Sequence, residues 1–201
     1  MSRTIGIVLF PDFEDLDAMG PREVLGMFAK FSSDGWNVVF VSQDGKPVQS
    51  FLGTRVVADH SFADSPKLDV IVVPGGLGTR PESKNPALVD FLKQQGGDAE
   101  YVTSVCTGAM LLHAAGFLEG KRATTHWGAI AELKGMGGNV TVVDDERWVH
   151  DGNVLTAAGV SAGIDMTLYL VSLLKDAATA KRVQQMMEYY PKPPVFDEVP
   201  A

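Results

Sequence analysis

The chain has 201 residues, 45% of them hydrophobic and 21% charged, and carries a formal net charge of −8. This composition suits a globular α/β chain large enough to bury its own core, expected as one domain over residues 1–190 with a proline-rich surface tail over 191–201. The acidic balance excludes the basic stripe that nucleic-acid binding needs. The single cysteine excludes an internal disulfide or a cysteine-rich zinc site.

From the N-terminus, the apolar run Thr4–Phe10 reads as a strand. It is far too short to span a membrane and is followed by no signal-peptide cleavage site, so the cytoplasm is the expected compartment and no membrane partner is implied. A helical pattern follows over Asp15–Lys30, then a strand at Asn37–Ser42. Lys46–Ala58, punctuated by Pro47 and Gly53, reads as a small hairpin on the sheet edge. A strand at Val70–Val73 precedes a helix over Pro86–Gln95, and a strand at Glu100–Val105 runs straight into a helix over Thr107–Ala115. Further strands are expected at Arg122–Thr124, Thr141–Val143 and Val154–Ala157, and helices over Trp127–Gly135, Ala162–Leu174 and Ala177–Tyr189. Arg147–Val149 and Val154–Leu155, around Asp151, Gly152 and Asn153, form a second hairpin signal. Short apolar runs alternating with helical patterns imply a mostly parallel sheet with helices on both faces. In such a sheet ligands gather at the carboxyl ends of the strands.

Cys106 falls at such an end. It closes the run Tyr101–Val105 and is followed by Thr107, Gly108 and a helical pattern, the elbow arrangement that lifts a nucleophile out of the top of a sheet. Amides at the start of the new helix favour an anion, so a thiol pKa below its free value is expected. Against this stands the commonest fate of a free cysteine, that of a small buried hydrophobe.

Three other strand ends supply candidate partners. Asp12, Glu14, Asp15 and Asp17 suit a solvated first helical turn. Asp17, beside Leu16 and shortly before Gly20 and Pro21, is the one placed to face inward, where burial raises a carboxyl pKa and suits a general acid. Val70–Val73 ends in Pro74, Gly75, Gly76, Leu77 and Gly78. Glycines there let backbone amides converge on a ligand or a developing anion, yet the spacing of nucleotide-binding loops is missing. His126 follows the strand at Arg122–Thr124, where it serves either as a base near Cys106 or as a loop anchor. His60, His113 and His150 have no metal-ligand spacing, and Trp36 and Trp148 read as packing residues. In Ala157–Gly163 the small residues permit close backbone approach, but capping of the next helix by Ser161 is the favoured reading.

Taken together, Asp17 with Gly20 and Pro21, Pro74–Gly76, Thr103–Gly108, Lys121–Trp127 and Ala158–Asp165 resemble the ThiJ/PfpI superfamily, and within it the branch that hydrates isocyanides. The resemblance runs from the first strand to Tyr189. It implies a flavodoxin-like three-layer sandwich with a nucleophile-elbow cysteine, a homodimer, and a small-molecule substrate handled without metal or organic cofactor. It implies Cys106 as nucleophile, Asp17 as acid and base, and Thr107 as a positioning residue. Gly75, Gly76, Gly78 and His126 would line the substrate pocket. Thr107 stands where the family's peptidase branch has histidine, and Asp17 where its deglycase branch has glutamate. Arg80 occupies a segment expected to be uncharged, and Leu77–Arg80 is also similar to the ligand-sensing domains of AraC-type regulators. Other thiol-dependent glyoxalase, deglycase or amidase chemistry, or a cysteine-based sensor, are the alternatives that follow.

Overall fold

The computed structural model describes residues 3–191; the expected tail lies, beyond Pro191, outside the described residues. β1 (Arg3–Leu9) is buried from its second residue onward, as an apolar run must be in a strand covered on both faces. α1 (Asp15–Phe31) buries Ala18, Val24, Leu25 and Phe28 along one stripe and includes Pro21. Pro21 has no amide to offer the carbonyl four residues back, that of Asp17. β2 (Trp36–Ser42) is followed by the expected hairpin, β3 (Val48–Gln49) against β4 (Arg55–Val56). A two-residue edge strand, β5 (His60–Ser61), is too short to carry a periodic signal in the sequence.

β6 (Val70–Val73) leads through the glycine turn into a single turn of helix, α2 (Thr79–Glu82). α3 (Pro86–Gly96) starts where Pro86 takes the first helical position and the Asn85 side chain accepts from the Ala87 amide at 3.1 Å. β7 (Tyr101–Val105) turns at Cys106 into α4 (Gly108–Ala114). After β8 (Arg122–Ala123) come a 3-10 turn at Trp127–Ala129, α5 (Ile130–Gly135) and β9 (Thr141–Val142). β10 (Trp148–Asp151) and β11 (Val154–Ala157) form the second expected hairpin, and α6 (Ala162–Leu174) and α7 (Ala177–Met186) complete the described chain.

The main sheet has the order β10-β11-β7-β6-β1-β2-β5, with every neighbouring pair parallel except β10 against β11. Helices α1, α6 and α7 pack together on one face, and α2, α3 and α4 associate over the other, giving the three-layer α/β sandwich. Among the described residues no helix is long and apolar enough to cross a membrane.

Three expectations require correction. The strands at Arg122–Thr124 and Thr141–Val143 are shorter and stay out of the main sheet. They pair only with each other, because Thr124 turns its amide to Thr156 Oγ1. The helix over Trp127–Gly135 is broken at its start, where the His126 ring accepts the Gly128 amide at 3.2 Å and holds a 3-10 turn. Ser161 makes no side-chain cap; its backbone is already helical, which directs its hydroxyl away from the amides a cap would serve.

Candidate active site

The chain runs from β1 outward to β2 and later returns to the other side of β1 with β6, so the strand order reverses between β1 and β6. Crevices form outside the carboxyl ends of strands at such a reversal. Here α1, reached from β1, brings Asp17; the turn after β6 brings Gly75 and Gly76; and the end of β7 brings Cys106.

Cys106 is held at φ 56°, a left-handed conformation that costs a side-chain-bearing residue on the order of 1 kcal/mol or more and persists only when its surroundings impose it. They do so twice: the Cys106 amide donates to the Ala157 carbonyl at 2.9 Å, and Thr125 Oγ1 donates to the Cys106 carbonyl at 2.8 Å. The thiol is 7% exposed and opens on a cavity of about 380 Å3.

Asp17 is the inward-facing carboxylate of its segment, at 0% exposure. Its Oδ2 accepts the Gly75 amide at 3.0 Å, whereas Oδ1 is buried with no partner of good geometry. The Cys106 side chain lies close enough for each group to shift the other's pKa, yet it makes no hydrogen bond to Oδ1. Burial, against the opposing Gly75 hydrogen bond, pushes the Asp17 pKa up from 3.8 to about 7.

The thiol behaves oppositely to the sequence-based expectation. Burial first, then the neighbouring Asp17 charge, push Cys106 up to about 12, outweighing the hydrogen bonds from Thr107 that favour the thiolate. One elbow amide is therefore weaker than desolvation plus a facing carboxylate. Cys106 and Asp17 consequently titrate as a pair, and above about pH 7 they hold one proton between them, chiefly on sulfur.

Thr107 is 4% exposed and exchanges hydrogen bonds with Gly76: the Gly76 amide donates to Oγ1 and Oγ1 donates to the Gly76 carbonyl, both at 3.0 Å. The Gly75 and Gly76 amides are thus engaged within the protein, one on Asp17 and one on Thr107. Gly76 faces the cavity, while Gly75 sits behind it. Gly78 turns away: its amide donates to the Asp12 carbonyl, and a Cβ there would lie 1.9 Å from the Pro11 carbonyl oxygen. His126 lines the cavity, yet its Nδ1 is occupied by the Gly128 amide, and burial and then the Arg80 charge lower its pKa, which favours the neutral ring.

Glu14, Leu77, Arg80, Trp127 and Val160 also wall the cavity, as does Phe51, which sequence reasoning did not single out. Phe51 comes from the β3–β4 turn, whose two apolar residues Phe51 and Leu52, exposed in an otherwise polar loop, were the available signal. The Glu14 carboxyl is raised by partial burial and by Asp15. A second cavity, about 420 Å3, lies beyond the ends of β1 and β2. It contains no cysteine and no deeply buried titratable group, and its one buried hydroxyl, Ser42, has no carboxylate or imidazole bonded to it, so the first cavity is the candidate site. Among the described residues no group of three or more His, Cys, Asp or Glu is arranged to hold a metal ion.

The chain is thus an α/β sandwich whose elbow cysteine faces a buried carboxyl at the sheet's reversal point. The chain belongs to the DJ-1/PfpI family, which matches residues 3–173. It is 45% identical over 197 residues to an isonitrile hydratase of Pseudomonas putida, covering 98% of this chain and 82% of that one. The crystal structure of a ThiJ/PfpI family protein from Pseudomonas syringae superposes with a TM-score of 0.88 at 34% identity, covering 98% of this chain and 78% of the other. An HTH-type transcriptional regulator, CdhR of Pseudomonas aeruginosa, is 29% identical over 185 residues, or 92% of this chain and 54% of the regulator.

Proposed function

We propose that the protein is a cysteine-dependent hydratase, a cytoplasmic homodimer that converts small organic isocyanides to N-substituted formamides without a cofactor. The observation that carries this reading is the buried Asp17 carboxyl set beside Cys106 where the cysteine lines a mostly apolar cavity. The similarity to an isonitrile hydratase supports the same substrate class.

An isocyanide carbon accepts a nucleophile when a proton is delivered to it in the same event. Asp17 takes the thiol proton as sulfur attacks and passes it to that carbon, so a C–S and a C–H bond form and a thioimidate results. Asp17, ionised again, takes a proton from water as the water oxygen adds to the same carbon. That proton goes to nitrogen. Collapse of the hydroxyl, with its proton returned to sulfur through Asp17, breaks the C–S bond and releases the formamide. The sum is one isocyanide plus one water, and the pair ends with the proton it began with. The attacking sulfur need not be a free thiolate, which reconciles the raised thiol pKa with nucleophilic catalysis.

Two observations weigh against the alternatives. Cysteine oxidation requires an accessible thiolate, whereas Cys106 is buried and its pKa is raised. A glyoxalase or amidase reading with a second, shuttling base calls for a His126–thiol hydrogen bond, whereas the His126 ring nitrogen Nδ1 accepts the Gly128 amide.

The pH profile tests the shared proton. Below about pH 7 the pair gains a second proton, Asp17 can no longer accept one, and turnover falls. The expected profile of kcat/KM for isocyanide hydration is one acid limb centred near 7, then a plateau up to the pH at which the fold fails. A rate that stays flat, or rises, as the pH is lowered through this range would count against the scheme.

A further inference from the structure

The cavity wall formed by His126–Ala129 is attached at both ends. At its buried end, the Thr124 amide donates to Thr156 Oγ1 and Thr125 Oγ1 donates to the Cys106 carbonyl, each at 2.8 Å. At the other end, Glu132 on α5 meets Arg80 on α2: Nε donates to Oε1 at 3.2 Å and Nη2 to Oε2 at 2.7 Å, a two-point contact that fixes orientation as well as distance. The same guanidinium turns Nη1 back to the Gly76 carbonyl at 3.3 Å and to Thr79 Oγ1 at 3.4 Å. One side chain therefore joins the glycine turn on one side of the cavity to α5 on the other. Among the described residues α2 and α5 share no further hydrogen bond. Between the two attachments stands Trp127, 78% exposed and outside the core, its ring tilted against that of His126 with centroids 5.4 Å apart, while Ala129 beyond it is buried.

The charge of Arg80 is answered by Glu132, which does not line the cavity, and Glu14 adds a carboxyl to the wall. The cavity thus offers no unopposed cation to an anionic group. We infer that the Arg80–Glu132 ion pair sets the width of the pocket above Cys106 and restricts it to slim, uncharged substrates. For its substrate class this rests on the hydratase reading; for the ion pair's role it does not. Arg80 and Glu132 are specificity-determining residues in this account and take no part in the chemistry.

Because Cys106 is the sole cysteine, pocket width can be read without any substrate. Wild type, Glu132→Gln and Glu132→Asp are alkylated in parallel at one alkaline pH, slowly through the small thiolate fraction that the raised Cys106 pKa leaves, with excess iodoacetamide and with N-cyclohexylmaleimide; the ratio of bulky to small rates, in which that fraction cancels, is compared. Glu132 is half-exposed, so both variants are expected to fold. Glu132→Gln raises the ratio about fivefold, the upper end of what an exposed ion pair is worth, and Glu132→Asp restores most of the wild-type value. For hydration, the KM of tert-butyl isocyanide relative to methyl isocyanide falls by a similar factor in Glu132→Gln while kcat changes little. An alkylation ratio unchanged in Glu132→Gln overturns the inference, as does a changed ratio that Glu132→Asp fails to recover. A shifted ratio in a protein that hydrates neither isocyanide would keep the ion pair's role and remove the hydratase reading instead.

Discussion

Replacing Asp17 by asparagine is expected to lower isocyanide turnover about a thousandfold, within the range for removing a general acid–base group, while making the protein more stable at pH 8. Both effects have one cause. Asp17 is fully buried, with one oxygen on the Gly75 amide and the other unpartnered, and its pKa is pushed from 3.8 to about 7. Below the lower value the carboxyl is protonated in folded and unfolded chains alike and costs nothing. As pH rises through the interval the unfolded chain releases the proton and the folded one keeps it, so stability is lost progressively and the full penalty applies above about pH 7. The interval corresponds to about 4 kcal/mol. Asparagine carries no charge, but its buried amide hydrogens lack an acceptor, so a net gain of about 2 kcal/mol at pH 8 is expected, turning into a loss of about the same size near pH 4. Denaturant unfolding at the two pH values measures it. The thiol provides a third readout: with the Asp17 charge gone, thiolate absorbance in Asp17→Asn titrates at lower pH than in wild type, though burial still holds it above the ordinary range. A variant that is slow but equally unstable at pH 8, with an unmoved thiol titration, would show that Asp17 is neither buried nor coupled in this way.

The second large effect is expected at Gly75. A Cβ there would lie 2.6 Å from the Thr107 amide nitrogen, 2.8 Å from Asp17 Oδ2 and 2.8 Å from Cys106 Cβ. These neighbours are backbone or short, buried side chains, and none can swing aside. Gly75→Ala must therefore separate the two groups that share the proton. Misplacement of that kind costs about a hundredfold in kcat, and overpacking a buried site costs about 2 kcal/mol of stability. Gly135→Ala is the control, since a Cβ there meets nothing within 4 Å and its φ is not positive. Near-wild-type kcat in Gly75→Ala would mean that the contact between α1, the glycine turn and the elbow is looser than described.

Much of this architecture was legible in the sequence because its signals are local. The apolar runs at Ile5–Leu9 and Val70–Val73 are buried along their whole length, so they read as continuous hydrophobic stretches bounded by turn residues. Cys106 stands where strand residues stop and a helical pattern starts, which marked it without knowledge of any partner. Asp17 was only half legible: its inward orientation depends on how α1 lies against the turn after β6, a contact between residues 58 positions apart. The pKa of Cys106 was misjudged for the same reason, since local sequence shows the elbow amide but neither the depth of burial nor the facing carboxylate. The Arg80–Glu132 pair spans 52 positions and left no periodic trace, so it belongs wholly to the tertiary structure. At Arg122–Thr124 and Thr141–Val143 strand propensity was present, but the main sheet already ended at β10 and its partner β11, and the segments could pair only with each other.

The central claim is that an isocyanide becomes covalently attached to Cys106 on its way to a formamide. Intact-mass spectrometry of the reduced protein, acid-quenched during turnover of an aryl isocyanide, tests it most directly when formamide is measured in the same sample. The account predicts an added mass equal to the whole isocyanide on wild type, no adduct and no formamide with Cys106→Ala. Formamide produced at undiminished rate by Cys106→Ala, or a wild type that forms neither adduct nor product, would contradict it.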